Sequence, residues 1–184
     1  VREINITGNT KTWEEVIRRQ LVLYPGDVFA STRLRRSLRE VFNLGFFAGP
    51  PEVNVNQAGE EGDIDLTLRV EEKSAGQFRV GAGFSQLNRV SGFIGLTEPN
   101  FLGRAYRVGV NWEFSRSRQD INLQFTDPWF RGTPTELGLQ VYSSQLFEAD
   151  TLVGVFNGLY VVTQDYAGNP ATQKLVADFI EKEK

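Results

Sequence analysis

Glu71 and Glu72 are adjacent carboxylates, the residue type that general acid–base catalysis recruits, yet no surrounding pattern places them in a pocket. What the 184 residues lack excludes more. There is no His, which removes Ser–His and Cys–His catalysis and the usual imidazole zinc sites. There is no Cys, which removes thiolate chemistry and disulfides and leaves the redox compartment unread. Gly81-Ala82-Gly83 is not a dinucleotide fingerprint, because a third glycine is missing at the required position and no helical pattern follows. Arg18, Arg19, Arg33, Arg35, Arg36 and Arg39 could meet acidic headgroups or a partner protein, but read more simply as solvated faces. A net charge of −3 offers no basic face to neutralise phosphates, so nucleic acid is not expected as a partner. No catalytic residue, metal or cofactor is expected; what remains is binding through backbone and apolar surface.

The hydrophobic period locates that backbone. It changes at residues 71–76: helix-spaced and strand-spaced apolar residues mix before this point, and alternation dominates after it. In the first part, 1–7 reads as a short strand ended by Gly8-Asn9. Thr12 and Glu15 have capping-box spacing for a helix over 13–23, and Pro25-Gly26 breaks it. Ser31 or Thr32 caps a second helix whose Leu34, Leu38, Val41 and Phe42 share a face, and Gly45 is placed to close it in a left-handed conformation. A short strand at 52–56 and a longer one at 64–70 follow, joined by a polar hairpin loop. The order strand, helix, helix, strand, strand predicts a three-stranded sheet with two helices on one face, complete in two layers.

The second part predicts consecutive antiparallel strands at 77–85, 93–97, 105–115, 121–126 and 136–142. The clearest alternates Tyr106, Val108, Val110, Trp112 and Phe114 with Arg107, Gly109, Asn111 and Glu113. Such strands suit a membrane barrel, with lipid outside and water inside, and equally a soluble sandwich, where two apolar faces meet. A mean hydropathy of −0.30 does not decide between them, since alternation hides an apolar face from any window average. Aromatic residues beside the turn at 127–132 suit a membrane interface girdle.

Several short motifs in order carry a resemblance. They are Val1-Arg2-Glu3-Ile4 with Gly8-Asn9, Val16-Ile17-Arg18-Arg19, Leu44-Gly45-Phe46-Phe47, and Val70-Glu71-Glu72-Lys73 with Gly76. Asn100-Phe101-Leu102-Gly103 and Asp127-Pro128-Trp129-Phe130 follow. Over about 145 residues the chain resembles the BamA-type outer-membrane β-barrel assembly proteins, at their last POTRA domain and first barrel strands. The resemblance implies an α+β POTRA domain over 1–73 and antiparallel strands of a partial transmembrane β-barrel over 76–145. It implies a location in the bacterial outer membrane with the POTRA-like domain in the periplasm. The implied activity is insertion of other barrels without catalysis, with unfolded outer-membrane clients, outer-membrane lipid and accessory assembly lipoproteins as partners.

Templating by β-augmentation is the physical logic, because a free sheet edge offers unpaired N–H and C=O groups to an incoming strand. Two edges are candidates. In the POTRA-like part it is Glu52, Val53, Asn54, Val55 and Asn56; at the barrel seam it is Phe78, Val80, Gly81, Ala82, Gly83 and Phe84, where the glycines weaken the strand or serve close packing. Tyr106, Val108, Val110, Trp112 and Phe114 are the expected lipid-facing stripe. About five strands cannot close a barrel that needs at least eight. The chain begins without Met, has no signal peptide and no run long enough for a membrane helix, and reads as a piece of something larger. Residues 146–184 leave the family pattern: an apolar stretch at 152–162, then Gly168-Asn169-Pro170, then a terminal amphipathic helix with Leu175, Val176, Phe179 and Ile180 on one face. This tail faintly resembles a segment of periplasmic sugar-binding proteins, which sets a soluble solute-binding protein as the alternative. A passive porin-like barrel is a third reading, disfavoured by the POTRA-like part.

Overall fold

The computed structural model describes residues 1–58, 62–86, 89–148 and 151–165. The chain divides into two compact units: Val1–Ala75 with Pro99–Ala105, and Gly76–Glu98 with the residues from Tyr106 on.

The first unit runs β1 (Glu3–Thr7), α1 (Glu14–Arg18), α2 (Ser31–Asn43), β2 (Glu52–Ala58) and β3 (Asp63–Arg69). Its sheet has the order β1-β3-β2, with β1 parallel and β2 antiparallel to the central β3. Central position explains the composition of β3: Leu66 and Leu68 are fully buried, and with Ile4, Val16, Ile17, Leu21, Leu23, Val41, Phe46 and Phe47 they form one core. The strand-helix-helix-strand-strand order is the one the sequence predicts. Details differ. α1 stops at Arg18, where Gln20 and Leu21 turn back in three-residue hydrogen bonds, so Leu21 and Leu23 reach the core from a loop. No side chain caps either helix; Trp13 and Ala30 hold the N-cap positions. Ser37 is fully buried in mid-helix because its hydroxyl accepts from the Val22 amide (2.9 Å) and donates to the Arg33 carbonyl (3.0 Å), tying α2 to the preceding loop. Gly45, at φ 85°, ends α2 in the left-handed region as expected.

Thr12 is not a cap for another reason: it sits between two polar partners. Its hydroxyl accepts from Asn100 Nδ2 (2.9 Å), while its amide donates to Glu72 Oε1 (2.6 Å). Glu72 Oε2 accepts from the Thr10 amide and hydroxyl and from the Lys11 amide at 2.7–3.1 Å. Asn100 Oδ1 in turn accepts from the Ala105 amide, and the Trp13 amide donates to the Gly103 carbonyl, both at 2.9 Å. Residues 99–105 are thus built into the first unit, with Asn100 and Ala105 buried and Ala105 in its core. The segment holds Leu102 and Ala105 at φ 57° and 59°, conformations costing about 1–2 kcal/mol each for residues with a Cβ. At Gly103 (φ 72°) a Cβ would meet the Lys11 carbonyl oxygen at 1.9 Å, so only glycine fits.

The second unit is a six-stranded antiparallel meander in the order β4-β5-β6-β7-β8-β9. Its strands are β4 (Gln77–Ser85), β5 (Arg89–Phe101), β6 (Tyr106–Ser115), β7 (Arg118–Asp127), β8 (Thr135–Glu148) and β9 (Thr151–Asp165). The alternation that the sequence shows ending at Gln145 therefore continues, with β9 paired antiparallel along β8 and one register shift at Leu146/Phe147. The strand was obscured because its two faces are hard to tell apart: Val155 and Leu159 lie on one, Gly154, Gly158 and Tyr160 on the other, and little charge marks either. The terminal helix expected over 171–184 lies outside the described residues.

Because Glu72 serves as an acceptor for four donors, protonating it should loosen the first unit. Partial burial opposes its ionisation, but hydrogen bonds from Thr12, Thr10 and the Lys11 amide outweigh this and lower its pKa from the ordinary 4.5 to about 2. A depressed value means the contribution is complete above pH 4.5 and is lost as pH falls through about 2. The protection factors of the Thr10–Thr12 amides, taken against the intrinsic exchange rate at each pH, should fall across that window in the natural chain. In Glu72→Gln they should be low and independent of pH; retention of the acid transition in Glu72→Gln would refute the assignment.

Candidate functional site: two free sheet edges and an uncovered face

In the first unit β2 is an edge strand, paired only to β3 from Glu52↔Arg69 to Ala58↔Asp63. The edge presents Glu52, Asn54 and Asn56 on one face and Val53 and Val55 on the other. Val53 packs against the core, whereas Val55 is 50% exposed although the residue across from it, Leu66, is fully buried. The core cover therefore runs out over the last strand and leaves an apolar step beside a row of unpaired backbone groups. β1 is a second edge that the sequence did not single out. Arg18 already occupies part of it, donating from Nη2 to the Ile4 carbonyl (3.1 Å), which leaves β2 the more open of the two.

In the second unit β4 is an edge strand, paired to β5 from Gln77↔Thr97 to Ser85↔Arg89. Phe78, Val80, Ala82 and Phe84 lie on one face opposite Leu96, Ile94, Gly92 and Val90. The two glycines of the other face differ in role. A Cβ on Gly81 would meet the Phe93 ring at 2.3 Å, so this glycine seats an aromatic ring; a Cβ on Gly83 would find only Ser91 Oγ at 3.5 Å, an ordinary contact.

β6 presents Tyr106, Val108, Val110, Trp112 and Phe114 on a single face. There Val108, Val110 and Trp112 stand opposite Phe125, Leu123 and Ile121 of β7, and Tyr106 meets Phe125 edge-on at 5.3 Å. Phe114 lies over Gly92, where a Cβ would come within 2.5 Å of its ring, and beside Trp112 at 5.1 Å. This face continues into β8 through Leu139 and Val141. The opposite face is polar: Asn111 faces Asn122, Gln124 faces Gln140, Arg118 pairs with Asp120 at 2.6 Å, and Arg107 pairs with Glu136. Among the described residues no protein layer covers the apolar face. Among the described residues every buried apolar side chain belongs to the first unit, while Phe78, Val80, Phe84, Ile94, Leu96, Ile121, Leu123 and Val141 are all exposed, Phe84 to 78%.

No group of three or more metal-ligating side chains occurs among the described residues, and no described helix is long and apolar enough to cross a membrane, which leaves strands unaddressed. Glu71 and Glu72 do not form an acid–base pair: Glu72 is committed to the turn at residues 10–12. Near 130, Trp129 donates its amide to Asp127 Oδ1 (2.9 Å) and Arg131 and Gly132 take left-handed conformations, so a tight turn carries the aromatic pair.

Comparison with known proteins fits this geometry. Residues 1–73 match the POTRA model, described as a surface antigen variable number repeat, and residues 100–173 match the Omp85 superfamily domain. A putative outer membrane protein assembly factor of Treponema pallidum is 36% identical over 145 residues, covering 75% of this chain and 17% of that protein. The outer membrane protein assembly factor BamA of Neisseria meningitidis is 32% identical over 142 residues, covering 77% and 18%. The crystal structure of BamA from Haemophilus ducreyi lacking POTRA domains 1–3 superposes with a TM-score of 0.71 at 22% identity, over 80% of this chain and 28% of that one, a likeness of fold. The chain thus spans under a fifth of the length of these curated relatives. The sugar-binding alternative finds no support, since the Omp85 match runs to residue 173, through most of the segment that suggested it. The family's location is the bacterial outer membrane with POTRA domains in the periplasm, and this chain belongs to it: a BamA-type member of the Omp85 superfamily, with a POTRA module leading into barrel strands.

Proposed function

We propose that this chain is the part of an outer-membrane barrel-assembly factor that receives and templates client strands, and that it works by binding and not by catalysis. The module of residues 1–73 would hold an unfolded client in the periplasm, and the strands from residue 76 on would lead the barrel into which clients are handed. The observation that carries the reading is the uncovered apolar face of the six-stranded sheet. Each large apolar side chain left in water forgoes about 1.5–3 kcal/mol of burial, so a sheet carrying this many is stable only against hydrocarbon or another layer. With a polar opposite face, hydrocarbon outside and water inside satisfy both sides at once. Tyr106, Val108, Val110, Trp112 and Phe114 then meet lipid, and Trp129 and Phe130 lie at the level of an interface.

In hydrocarbon an unpaired backbone group costs several kcal/mol, which is why a client strand should gain partners before it enters. Glu52, Val53, Asn54, Val55 and Asn56 offer such partners in the first unit, with the Val55 step as a side-chain site; Phe78, Val80, Gly81, Ala82, Gly83 and Phe84 offer them at the seam. Accessory lipoproteins would dock on the POTRA module, as its relatives' role as assembly factors suggests.

Two measurements test this. A photoreactive residue at Asn54 in the full-length protein should crosslink to the carboxy-terminal strand of an unfolded barrel client, and Val55→Asp, at a half-exposed site, should weaken that crosslink several-fold while leaving the module folded; an undiminished crosslink would reject the β2 site. At the seam, Gly83→Val should fold and keep its heat-modifiable migration but slow client insertion into proteoliposomes, because a β-branched residue stiffens the strand without a clash. Gly81→Val should instead lower the barrel's own heat resistance, since it displaces Phe93. Equal insertion rates for Gly83→Val and the natural chain would remove the soft-seam mechanism.

A further inference from the structure

The turn between β5 and β6 has a shape that its own residues disfavour. Leu102 and Ala105 hold left-handed backbone at φ 57° and 59°, where a Cβ is strained, and of the residues in that region only Gly103 (φ 72°) adopts it freely. The large side chains of the turn do not hold it either, because Phe101 and Leu102 are 42% and 65% exposed. Local backbone bonds run from the Gly103 amide to the Asn100 carbonyl (3.1 Å) and from the Arg104 amide to the Phe101 carbonyl (3.3 Å). Strain of this kind persists only where the surroundings over-determine the conformation.

Those surroundings are residues 8–13 and Glu72. Asn100 Nδ2 donates to Thr12 Oγ1 between two residues that are each 3% exposed, the Trp13 amide holds the Gly103 carbonyl, and the Arg104 guanidinium stacks over the Trp13 ring at 4.0 Å. The seat is braced by bonds in which the turn takes no part. Glu72 gathers the amides of Thr10, Lys11 and Thr12, Asn9 Nδ2 donates to the Thr12 carbonyl (3.0 Å), and Gly8 lies so close to the Val70 carbonyl oxygen that a Cβ would come within 2.0 Å of it. Such a seat reads chemistry: an amide side chain that reaches a buried hydroxyl and, three residues on, a residue with no Cβ against the Lys11 carbonyl.

The strands leading into the turn give that reading a use. β4 and β5 carry Gly81, Gly83, Gly92 and Gly95, and glycine-rich strands specify their pairing weakly, although a slip of one residue turns every side chain of a strand to the wrong face. We propose that Lys11, Thr12, Trp13 and Glu72 form a receptor for an Asn-x-x-Gly turn, which captures residues 99–105 and thereby fixes the register in which β5 and β6 pair as this chain's own sheet assembles. The occupant is the segment seated there, and its strained backbone is what the receptor supplies and the local sequence does not. The proposal concerns the chain's own strands and not those of a client, so it and the client-templating reading can fail separately.

Refolding of the urea-unfolded full-length protein into detergent micelles, followed by its heat-modifiable migration, tests this. Thr12→Val alters no residue of the sheet, yet it should slow formation of the heat-modifiable form about fivefold or more, whereas Thr12→Ser, which keeps the hydroxyl, should refold at the natural rate. Asn100→Ala breaks the same contact from the turn side, and the double variant with Thr12→Val should be no slower than the slower single one. Once formed, the Thr12→Val barrel should unfold at the natural temperature, because its strand pairs are the same. Natural refolding rates in Thr12→Val and Asn100→Ala would overturn the proposal, as would slowing that Thr12→Ser shares, which would assign the effect to packing. A finished barrel of lower heat resistance would overturn it by assigning the contact to stability, and faster hydrogen exchange of the β3 amides would do so by assigning the slowing to loss of the first unit's fold.

Discussion

A β-sheet with one apolar and one polar face must put something non-aqueous on the first. The second unit has six strands, apolar residues in register from β4 to β8, and no buried apolar side chain of its own among the described residues. This imbalance separates the chain from soluble sandwiches, whose strands alternate in the same way but bury one face against a partner sheet. It also separates the two parts of the sequence: the first unit has a closed core, whereas the second has surfaces in place of a core.

The same constraint governs the backbone. Where helices and a second layer are available, an exposed edge is tolerable, and the POTRA module keeps β2 open while Arg18 covers part of β1. In a bilayer an open edge is costly, and β4 carries one next to two glycines. Only one of these glycines has a packing reason to be there. Gly81 accommodates the Phe93 ring, much as Gly92 and Gly158 accommodate Phe114 and Tyr142, and such ring-over-glycine pairs brace a curved sheet. Gly83 has no ring above it.

Most of the architecture was legible in the sequence because the two periodicities are strong. Leu34, Leu38 and Val41 mark α2, Ile64, Leu66 and Leu68 mark β3, and the β6 stripe is unambiguous. Three things were not legible. α1 is shorter than its apolar pattern because Leu21 and Leu23 are buried from a loop, and periodicity cannot distinguish a loop that packs from a helix that packs. β9 carries glycines and an aromatic where a polar face would normally advertise the strand. The union of residues 99–105 with residues 8–13 depends on a hydrogen bond between Thr12 and Asn100, separated by 88 positions, and no local pattern reports so distant a partner. The motif Asn100-Phe101-Leu102-Gly103 contributed to the family resemblance while its physical reason, a buried amide and a glycine against the Lys11 carbonyl, remained invisible.

That distant partner sets an order of events. The POTRA core includes Ala105 and its polar network includes Asn100, so neither can be completed until two strands of the sheet, β4 and β5, have been synthesised and exported. Closing so long a loop is slow compared with pairing neighbouring strands, and contacts of high sequence separation form late. The corner of the first unit next to residues 99–105 can therefore close only once the first hairpin of the sheet is present, which ties the completion of one unit to the beginning of the other.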